Sequence, residues 1–212
     1  MARKMVRLLF IWCIAASSAK AANFDFYVLA LSWSPDYCAT GGARDAQQCA
    51  PGRSLGFVLH GLWPQYTRGY PSDCASDKLP AAVKSRFRGL YPSDALFEHE
   101  WEKHGTCSGL TPEQYLSLSK RLKESVVIPE AFRAPAKPVR ISTAQFKQSM
   151  VTANAGLGES ALAVFCSSSG RFLKEMYVCY SRDGKTVACS RELLSRAARS
   201  CRQRDFLMRN VR

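Results

Sequence analysis

Two short stretches of this sequence contain its three histidines. His60 begins the run His-Gly-Leu-Trp-Pro-Gln, whereas His99 and His104 flank the run Glu-Trp-Glu-Lys. Histidine is the side chain whose ordinary pKa lets it both accept and donate a proton near neutrality. Two histidines on opposite sides of one scissile bond make an acid/base pair. The first hypothesis from this sequence is therefore general acid/base catalysis by two of these side chains.

The spacing of His99 and His104 argues against a metal site of the zinc-protease type. Leu96, Phe97 and Trp101 are apolar among charged neighbours, a pattern that predicts a short amphipathic helix. A zinc-protease helix carries His-Glu-x-x-His, with both histidines on one face. Here the two histidines are five positions apart, which places them about 140° apart around the helix axis. They can flank a wide cleft, but they do not form that metal site.

Charged side chains beside His104 are candidates for the same chemistry. Glu100 lies four residues earlier and shares a helix face with His104. It is either a surface partner of this histidine or a carboxylate that orients the imidazole or raises its pKa. Lys103 is either a solvated surface lysine or the cation that neutralises a phosphorane. Gly105 is the predicted C-terminal stop of the helix.

Aromatic side chains follow His60 closely. Trp63, Tyr66 and Tyr70 are either core residues or a platform on which a nucleobase stacks. Such stacking contributes about 1–3 kcal/mol per base and tolerates any base. The position of Trp63, two residues after Gly61, leaves both interpretations open.

The elements that must position these motifs form one predicted α+β domain, because the chain has no Ser/Gly-rich linker and no repeat. Residues 24–33 are a predicted buried strand, and residues 55–59 are a strand that delivers His60 at its end. Gly61 and Pro64 favour a turn directly afterwards. The other predictions are loops over 39–54 and 66–80, helices over 111–123 and 142–153, antiparallel strands over 161–166, 171–180 and 186–190, and turns at 167–170 and 182–185.

Residues 1–21 have the pattern of a signal peptide. Three basic residues precede a short apolar core over residues 8–16, and Ala19-Lys20-Ala21 is a small-x-small cleavage site. The apolar core has about half of the ~20 residues that a membrane-spanning helix needs, which disfavours the alternative of a membrane anchor. We expect an exported protein, periplasmic or secreted, whose mature domain comprises residues 22–212.

The cysteines fit an exported protein. Removal of residues 1–21 takes Cys13 and leaves eight of the nine cysteines. An even number in an exported chain predicts a disulfide framework, although the sequence alone does not choose among the many possible pairings. No Cys-x-x-Cys occurs, which disfavours a zinc–thiolate site.

The charge of the chain is strongly basic. The formal net charge is +13, and residues 1–21 hold four of the thirty Lys and Arg and none of the seventeen acids, so the mature chain carries +9. A basic surface suits a polyanion such as nucleic acid, heparin or anionic lipid. Seven arginines over residues 191–212 face only two acids. Their alternative interpretation is a solvated helix face.

The two histidine motifs together resemble those of the ribonuclease T2 family. The resemblance rests on His60-Gly-Leu-Trp-Pro and on His99-Glu-Trp-Glu-Lys-His-Gly-Thr-Cys107, with support from Phe26-Tyr-Val-Leu-Ala-Leu-Ser-Trp-Ser-Pro-Asp-Tyr-Cys38. After residue 110 it rests mainly on cysteine spacing. It implies an α+β fold with a central antiparallel sheet flanked by helices, export, and cofactor-free cleavage of RNA with little base preference.

The resemblance also implies roles for single residues. His60 and His104 look like the catalytic pair. The resemblance implies that Glu100 and Lys103 stabilise the transition state and that His99 binds phosphate. It implies that Trp63 binds the nucleobase, with Gln65 and Tyr70 as further candidates for the nucleobase site. Gln65 stands where some relatives have an acid, and Phe97 stands where many have Trp, so base preference is open. The implied disulfides are Cys38–Cys49, Cys74–Cys107, Cys166–Cys201 and Cys179–Cys189.

The chemistry of RNA then supplies a mechanism. One imidazole removes the proton of the ribose 2′-OH, the oxygen attacks the adjacent phosphorus, and the other imidazole protonates the leaving 5′-oxygen. We favour His104 as the base and His60 as the acid, with the reverse still open. Two rival interpretations remain: a metal-dependent hydrolase that uses the three histidines, and a secreted protein that binds RNA or another polyanion without turnover. We expect a monomer.

Overall fold

The computed structural model describes residues 23–42, 44–167 and 170–212. The predicted signal peptide and part of the predicted turn at 167–170 lie outside the described residues. The elements are, in chain order, β1 (Phe26–Trp33), α1 (Ser34–Thr40), α2 (Ala46–Cys49), β2 (Phe57–Gln65), α3 (Ala81–Arg86), α4 (Asp94–Lys103), α5 (Pro112–Ser125), α6 (Glu130–Arg133), β3 (Val139–Ser142), α7 (Thr143–Ala153), β4 (Leu162–Cys166), β5 (Leu173–Tyr180), α8 (Arg191–Ser200) and β6 (Asp205–Met208).

A four-stranded antiparallel sheet in the order β2-β1-β5-β4 forms the centre of the fold. In a second sheet, β3 and β6 pair antiparallel. Helices lie around the four-stranded sheet, so the predicted α+β class with a central antiparallel sheet is confirmed. Among the described residues, no helix has the length and apolar character needed to cross a membrane.

Strand β1 is apolar on both faces, as expected for a strand covered on both sides. Leu29 and Leu31 belong to the larger core, which includes the apolar faces of α4, α5 and α7. Val28 and Ala30 point to the opposite face, where Leu193 of α8 packs. The sheet therefore separates a large core from a smaller one that leaves part of a sheet face open.

The prediction for the segment after His60 was wrong, because no turn interrupts the chain at Gly61 and Pro64. Strand β2 continues to Gln65. Pro64 is compatible with this strand because β2 is an edge strand that pairs with β1 on one side. Instead of a turn, the chain has a β-bulge at His60: Ala30 faces Gly61 and the next residue of β1 faces Leu59.

Two other predictions need correction. The predicted loop over 39–54 contains the end of α1 and all of α2, whose N-cap Asp45 accepts a hydrogen bond from the Gln48 backbone. The predicted strand over 186–190 does not form, and only an isolated bridge joins Tyr180 to Thr186. After that bridge the backbone N–H of Cys189 donates to the Ser160 backbone oxygen at 2.8 Å instead of continuing a ladder. The turn predicted over 182–185 does form, and the Ser181 hydroxyl bonds to the Lys185 backbone across it. The loop over 66–80 contains no helix or strand, as predicted.

The helices predicted over 111–123 and 142–153 correspond to α5 and α7, each with a capping box at its N-terminus. The sequence interpretation assigned no element to most of α1 or to α3, α6, β3 and β6, which are all short. Helix α8 lies where a solvated helix face was the alternative interpretation of the C-terminal arginines. The four disulfides join the same pairs that the resemblance implies, which are Cys38–Cys49, Cys74–Cys107, Cys166–Cys201 and Cys179–Cys189.

Candidate active site

Helix α4 is anchored by two aromatic side chains. Phe97 and Trp101 are buried, and the indole N–H of Trp101 donates to the backbone oxygen of Asp77 at 2.8 Å. The helix ends at Lys103, and a short 3₁₀ turn begins at Gly105, close to the predicted stop. This packing brings His99, Glu100 and Lys103 of α4 to the cleft beside the sheet, whereas Asp94, Glu98 and Glu102 pair with surface lysines.

The bulge in β2 decides which way His60 points. In a regular strand, successive side chains alternate between faces, so residues 60 and 63 would point to opposite sides. The extra residue at the bulge shifts this alternation by one position, so His60 and Trp63 point to the same face of the sheet. Their ring centroids lie 5.0 Å apart in an edge-on contact. The bulge therefore brings the first histidine motif together on the open face of the sheet.

His60 interacts with carboxylates on both sides of its ring. Its Nδ1 lies 3.2 Å from Oε2 of Glu175 on β5 and 3.1 Å from Oγ of Ser32 on β1. Its Nε2 lies 3.7 Å from Oε1 of Glu100. Burial by itself lowers the pKa of His60, but the hydrogen bond to Glu175 and the charges of Glu100 and Glu175 outweigh it, so the pKa is raised.

Glu100 is buried between the two motifs. Its Oε2 accepts a hydrogen bond of 2.6 Å from the indole N–H of Trp63. Burial raises the pKa of Glu100 to about 7, against the opposing effects of His60 and of this hydrogen bond. The proposed pairing of Glu100 with His104 across one helix face is wrong in this structure, because the carboxylate points to His60 and Trp63 instead.

His104 has a different environment from His60. Its side chain is 6% exposed, and Nδ1 has no hydrogen-bond partner among the described residues. The ring of Trp63 lies 5.3 Å away and that of Tyr70 5.9 Å away. Burial lowers the pKa of His104 to about 3, and the positive charges of Lys103 and the other histidines act in the same direction. The suggestion that Glu100 raises this pKa is therefore also wrong.

A cleft of about 240 Å³ unites the two motifs. All eight site residues named from the sequence line it, namely His60, Trp63, Gln65, Tyr70, His99, Glu100, Lys103 and His104. His99 is exposed at the cleft, and burial and the Lys103 cation lower the pKa of His99. The arrangement offers two histidines in contrasting electrostatic surroundings, a cation and a carboxyl group around one space.

Sequence reasoning missed the contributions of β5 and α8. Glu175, Tyr177 and Arg196 lie at or beside the cleft. The sequence does contain a feature that points to Glu175 as a site residue. It is an acid within an otherwise largely apolar strand, and it shares the strand face of Tyr177. Arg196 had only a weak signal, because it is one of many arginines near the C-terminus. Among the described residues, no group of three or more His, Cys, Asp or Glu side chains is placed to hold a metal ion.

Comparison with known proteins agrees with this geometry. A sequence model of the ribonuclease T2 family matches residues 24–189. A ribonuclease from Aeromonas hydrophila is 44% identical over 211 residues, which cover 95% of this chain and 94% of that protein. The chain belongs to the ribonuclease T2 family. As a ribonuclease T2 protein it is an endoribonuclease that acts without a metal ion.

Other ribonucleases share smaller parts of the sequence or the fold. Ribonuclease 1 of Arabidopsis thaliana is 35% identical over 130 residues, 52% of this chain and 55% of that protein. The structure of trichomaglin, described as an S-like ribonuclease, superposes with a TM-score of 0.62 at 21% identity and covers 78% of this chain and 91% of that chain. Ribonuclease MC1 from bitter gourd seeds has a TM-score of 0.58 at 22% identity, covering 77% and 92%. At these identities the two structures show a shared fold.

Proposed function

We propose that this ribonuclease T2 protein cleaves single-stranded RNA by attack of the ribose 2′-OH on the adjacent phosphorus, with His104 as the base and His60 as the acid. The observation that carries this proposal is the electrostatic contrast between two histidines that line one cleft. One imidazole stays neutral in weak acid and the other stays protonated. A base and an acid in those states are what a single transphosphorylation step needs.

The step balances without any co-reactant. His104 takes the 2′-OH proton as the 2′-oxygen bonds to phosphorus, and the bond from phosphorus to the 5′-oxygen breaks. His60 gives its proton to that leaving oxygen. The products are a 2′,3′-cyclic phosphate and a free 5′-OH, and water then opens the cycle to a 3′-phosphate with the two histidines in exchanged roles. The nucleophile is part of the substrate, so an otherwise identical DNA strand does not react.

Three further groups of the cleft suit the phosphate. With a pKa of about 7, Glu100 is largely protonated in weak acid, where it can donate a hydrogen bond to a phosphoryl oxygen without repelling it. Lys103 supplies a cation at the same cleft, which compensates the charge that develops on the phosphorane. We assign His99 to the binding of substrate phosphate, because it lines the cleft and is exposed to solvent.

The aromatic residues at the cleft are suited to stack on a nucleobase of any type. Tyr70 is 49% exposed, and its ring is free to stack on a nucleobase. Trp63 is half-buried and already contacts both catalytic histidines, so its ring shapes the floor of the base site. Stacking gives little base selectivity. Gln65 adds a side-chain amide at the same cleft, although its Nε2 donates to the Pro64 backbone oxygen in this structure.

We also propose that residues 1–21 direct export and that residues 22–212 form the mature enzyme, either in the periplasm or outside the cell. Four disulfides within the described residues support an oxidising compartment. A monomer is the simplest working state for a domain whose cleft is lined by one chain.

The test is cleavage of a short single-stranded RNA by the purified mature protein in excess EDTA, beside the same oligomer with 2′-deoxyribose at one site. We expect cleavage everywhere except at the deoxyribose, with 2′,3′-cyclic phosphate ends that appear before 3′-phosphate ends. Cleavage after the deoxyribose, or products without a cyclic intermediate, would contradict the proposed step. Salt-sensitive binding without any cleavage would favour a polyanion-binding protein instead.

A further inference from the structure

A buried carboxylate on β5 is not part of either histidine motif. Glu175 is 3% exposed, and its Oε2 lies 3.2 Å from Nδ1 of His60. Its other oxygen, Oε1, accepts a hydrogen bond of 2.9 Å from the hydroxyl of Tyr177 and lies 3.1 Å from Nζ of Lys174. An acid at this depth is costly unless it is paired. In the described part of the chain, the polar partners of this carboxylate are His60 and the two groups that hold it in place.

We propose that Glu175 is a positioning residue for His60, which holds the imidazole with Nδ1–H toward the sheet so that Nε2 presents a proton to the leaving 5′-oxygen. This inference rests on the proposed function, in which His60 is the acid. Glu175 touches neither the substrate nor the reacting atoms, and it acts only through the histidine ring.

The strand pairing explains how Glu175 reaches His60. Glu175 faces Ser32 across the β1–β5 ladder, so both side chains stand on the open face of the sheet. The bulge in β2 turns His60 to the same face, one strand away. Ser32 and Glu175 then meet the same ring nitrogen at 3.1 and 3.2 Å. Since Nδ1 is occupied on the sheet side, Nε2 is the nitrogen left for the cleft.

The two carboxyl groups near His60 have different roles. Glu175 is at hydrogen-bond distance from Nδ1, whereas Glu100 lies 3.7 Å from Nε2, beyond a normal hydrogen bond. The hydrogen bond from His60 and the charge of Lys174 overcome burial and lower the pKa of Glu175 to about 2. Glu175 is therefore the permanent anion behind the ring, and Glu100 is the group that titrates near neutrality.

Charged and titratable groups on the neighbouring elements determine how a substitution of Glu175 affects the His60 imidazolium. They are Glu175 and Lys174 of β5, Glu100 of α4, and the two histidines His99 and His104. Loss of the Glu175 charge leaves the cations in place and removes the anion at hydrogen-bond distance. The His60 imidazolium then loses its main support, and a neutral amide at position 175 can donate to Nδ1 and favour the wrong tautomer.

The decisive experiment compares Glu175→Gln with Glu175→Asp, and uses Glu130→Gln as a control that removes an exposed carboxylate from helix α6. Two readings are taken on each purified protein. The first is the pKa of the His60 imidazole, measured by ¹⁵N NMR without substrate. The second is kcat/KM for a dinucleoside monophosphate and for a uridine 3′-(4-nitrophenyl phosphate), whose leaving group needs no acid.

We expect Glu175→Gln to lower the pKa of His60 by about one pH unit or more and to reduce kcat/KM for the dinucleoside monophosphate by roughly 10–100-fold, as for other partners that orient a functional histidine. The nitrophenyl substrate should be cleaved at close to the wild-type rate, and Glu175→Asp should recover part of the loss. The Glu130→Gln control should match the wild type in both readings.

A purely structural role for Glu175 would slow both substrates equally and leave the pKa of His60 unchanged, and either result overturns the inference. If Glu175→Gln does not fold, Glu175→Asp takes its place: the shorter side chain draws the carboxylate away from Nδ1 of His60, so it must lower the His60 pKa, though by less. Failure of the wild-type protein to cleave the dinucleoside monophosphate would count against the proposed function, whereas the NMR reading tests the Glu175–His60 contact independently.

Discussion

The indole N–H of Trp63 and Oε2 of Glu100 are joined by a hydrogen bond of 2.6 Å, which connects the edge strand β2 to helix α4. The two residues come from the two separate histidine motifs. Their contact leaves no room for a side chain at Gly61, where a Cβ would collide with the Glu100 carboxylate and with Nε1 of Trp63. The glycine between His60 and Trp63 is thus required by close packing against α4.

Gly61→Ala tests that packing. The added methyl group must push the Glu100 carboxylate or the indole away, so we expect kcat/KM on RNA to fall at least 10-fold and the free energy of unfolding to fall by about 1–3 kcal/mol. Gly41→Ala is the matched control, because a Cβ at Gly41 meets no atom within 4 Å. Steady-state kinetics and urea unfolding give both quantities. Normal activity of Gly61→Ala would show that the carboxylate need not stay in place.

Replacement of each catalytic histidine should separate the base from the acid. His60→Ala and His104→Ala should each lose about 10²–10⁴-fold in kcat/KM on RNA. With a 4-nitrophenolate leaving group, His60→Ala should recover most of its activity, because that oxygen leaves without a proton. His104→Ala should not recover, since the 2′-OH still needs a base. The opposite pattern would reverse the two roles, and near-normal activity of either variant on RNA would remove that histidine from the mechanism.

The pH dependence of kcat/KM should show a broad maximum in weak acid. The base His104 must be neutral, and its pKa of about 3 places the rising limb at low pH. The acid His60 must be protonated, and its raised pKa places the falling limb above its ordinary value of 6.5. Ionisation of Glu100, with a pKa of about 7, contributes to the same falling limb. Initial rates on a dinucleoside monophosphate between about pH 2 and pH 9 measure both limbs.

Lys103→Gln should move the rising limb toward neutral pH. The Lys103 cation lowers the pKa of His104, so its removal lets this histidine hold a proton at higher pH. The rate at the maximum should also fall, because the cleft loses a cation. Lys120→Gln on the exposed face of α5 is the control for a lost positive charge. A lower maximum with an unmoved rising limb would mean that Lys103 acts on the substrate alone.

The disulfide Cys74–Cys107 should matter for activity as well as for stability. Cys107 follows His104 by three residues, and the backbone N–H of Asp73 donates to the Lys103 backbone oxygen at 2.9 Å. Replacement of both cysteines by Ala should lower the free energy of unfolding by about 2–4 kcal/mol and reduce kcat/KM.

The matched control is the pair Cys38 and Cys49, which closes a loop of 11 residues instead of 33. Because the closed loop is shorter, the chain-entropy model predicts a smaller effect for this pair. Loss of Cys38–Cys49 should lower the free energy of unfolding by about 1 kcal/mol less than loss of Cys74–Cys107, and it should leave kcat/KM unchanged. Chemical denaturation and initial rates report the two effects. An equal loss of activity in both double variants would mean that the Cys74–Cys107 disulfide has no particular role at the cleft.

The sequence by itself determined which side chains are available for the reaction and much of the local structure. Its three histidines, the periodicity of 96–104 and the apolar strands were sufficient to predict α4 and an α+β class, and together with the family resemblance they named eight of the residues that line the cleft. These features are local, because helix and strand periodicity depends on neighbours within a few positions. Motif order added the family, and the family match confirms it.

Only the tertiary structure decided which groups act on one another. Helix spacing suggested Glu100 for His104, but packing of α4 on β2 sends that carboxylate to His60. Glu175 lies 115 residues from His60, and no local pattern could pair them. The contrast between the two histidines also depends on burial and on charges brought together by the sheet, since desolvation and nearby charges set a pKa. Those quantities exist only once β1, β2, β5 and α4 have packed together.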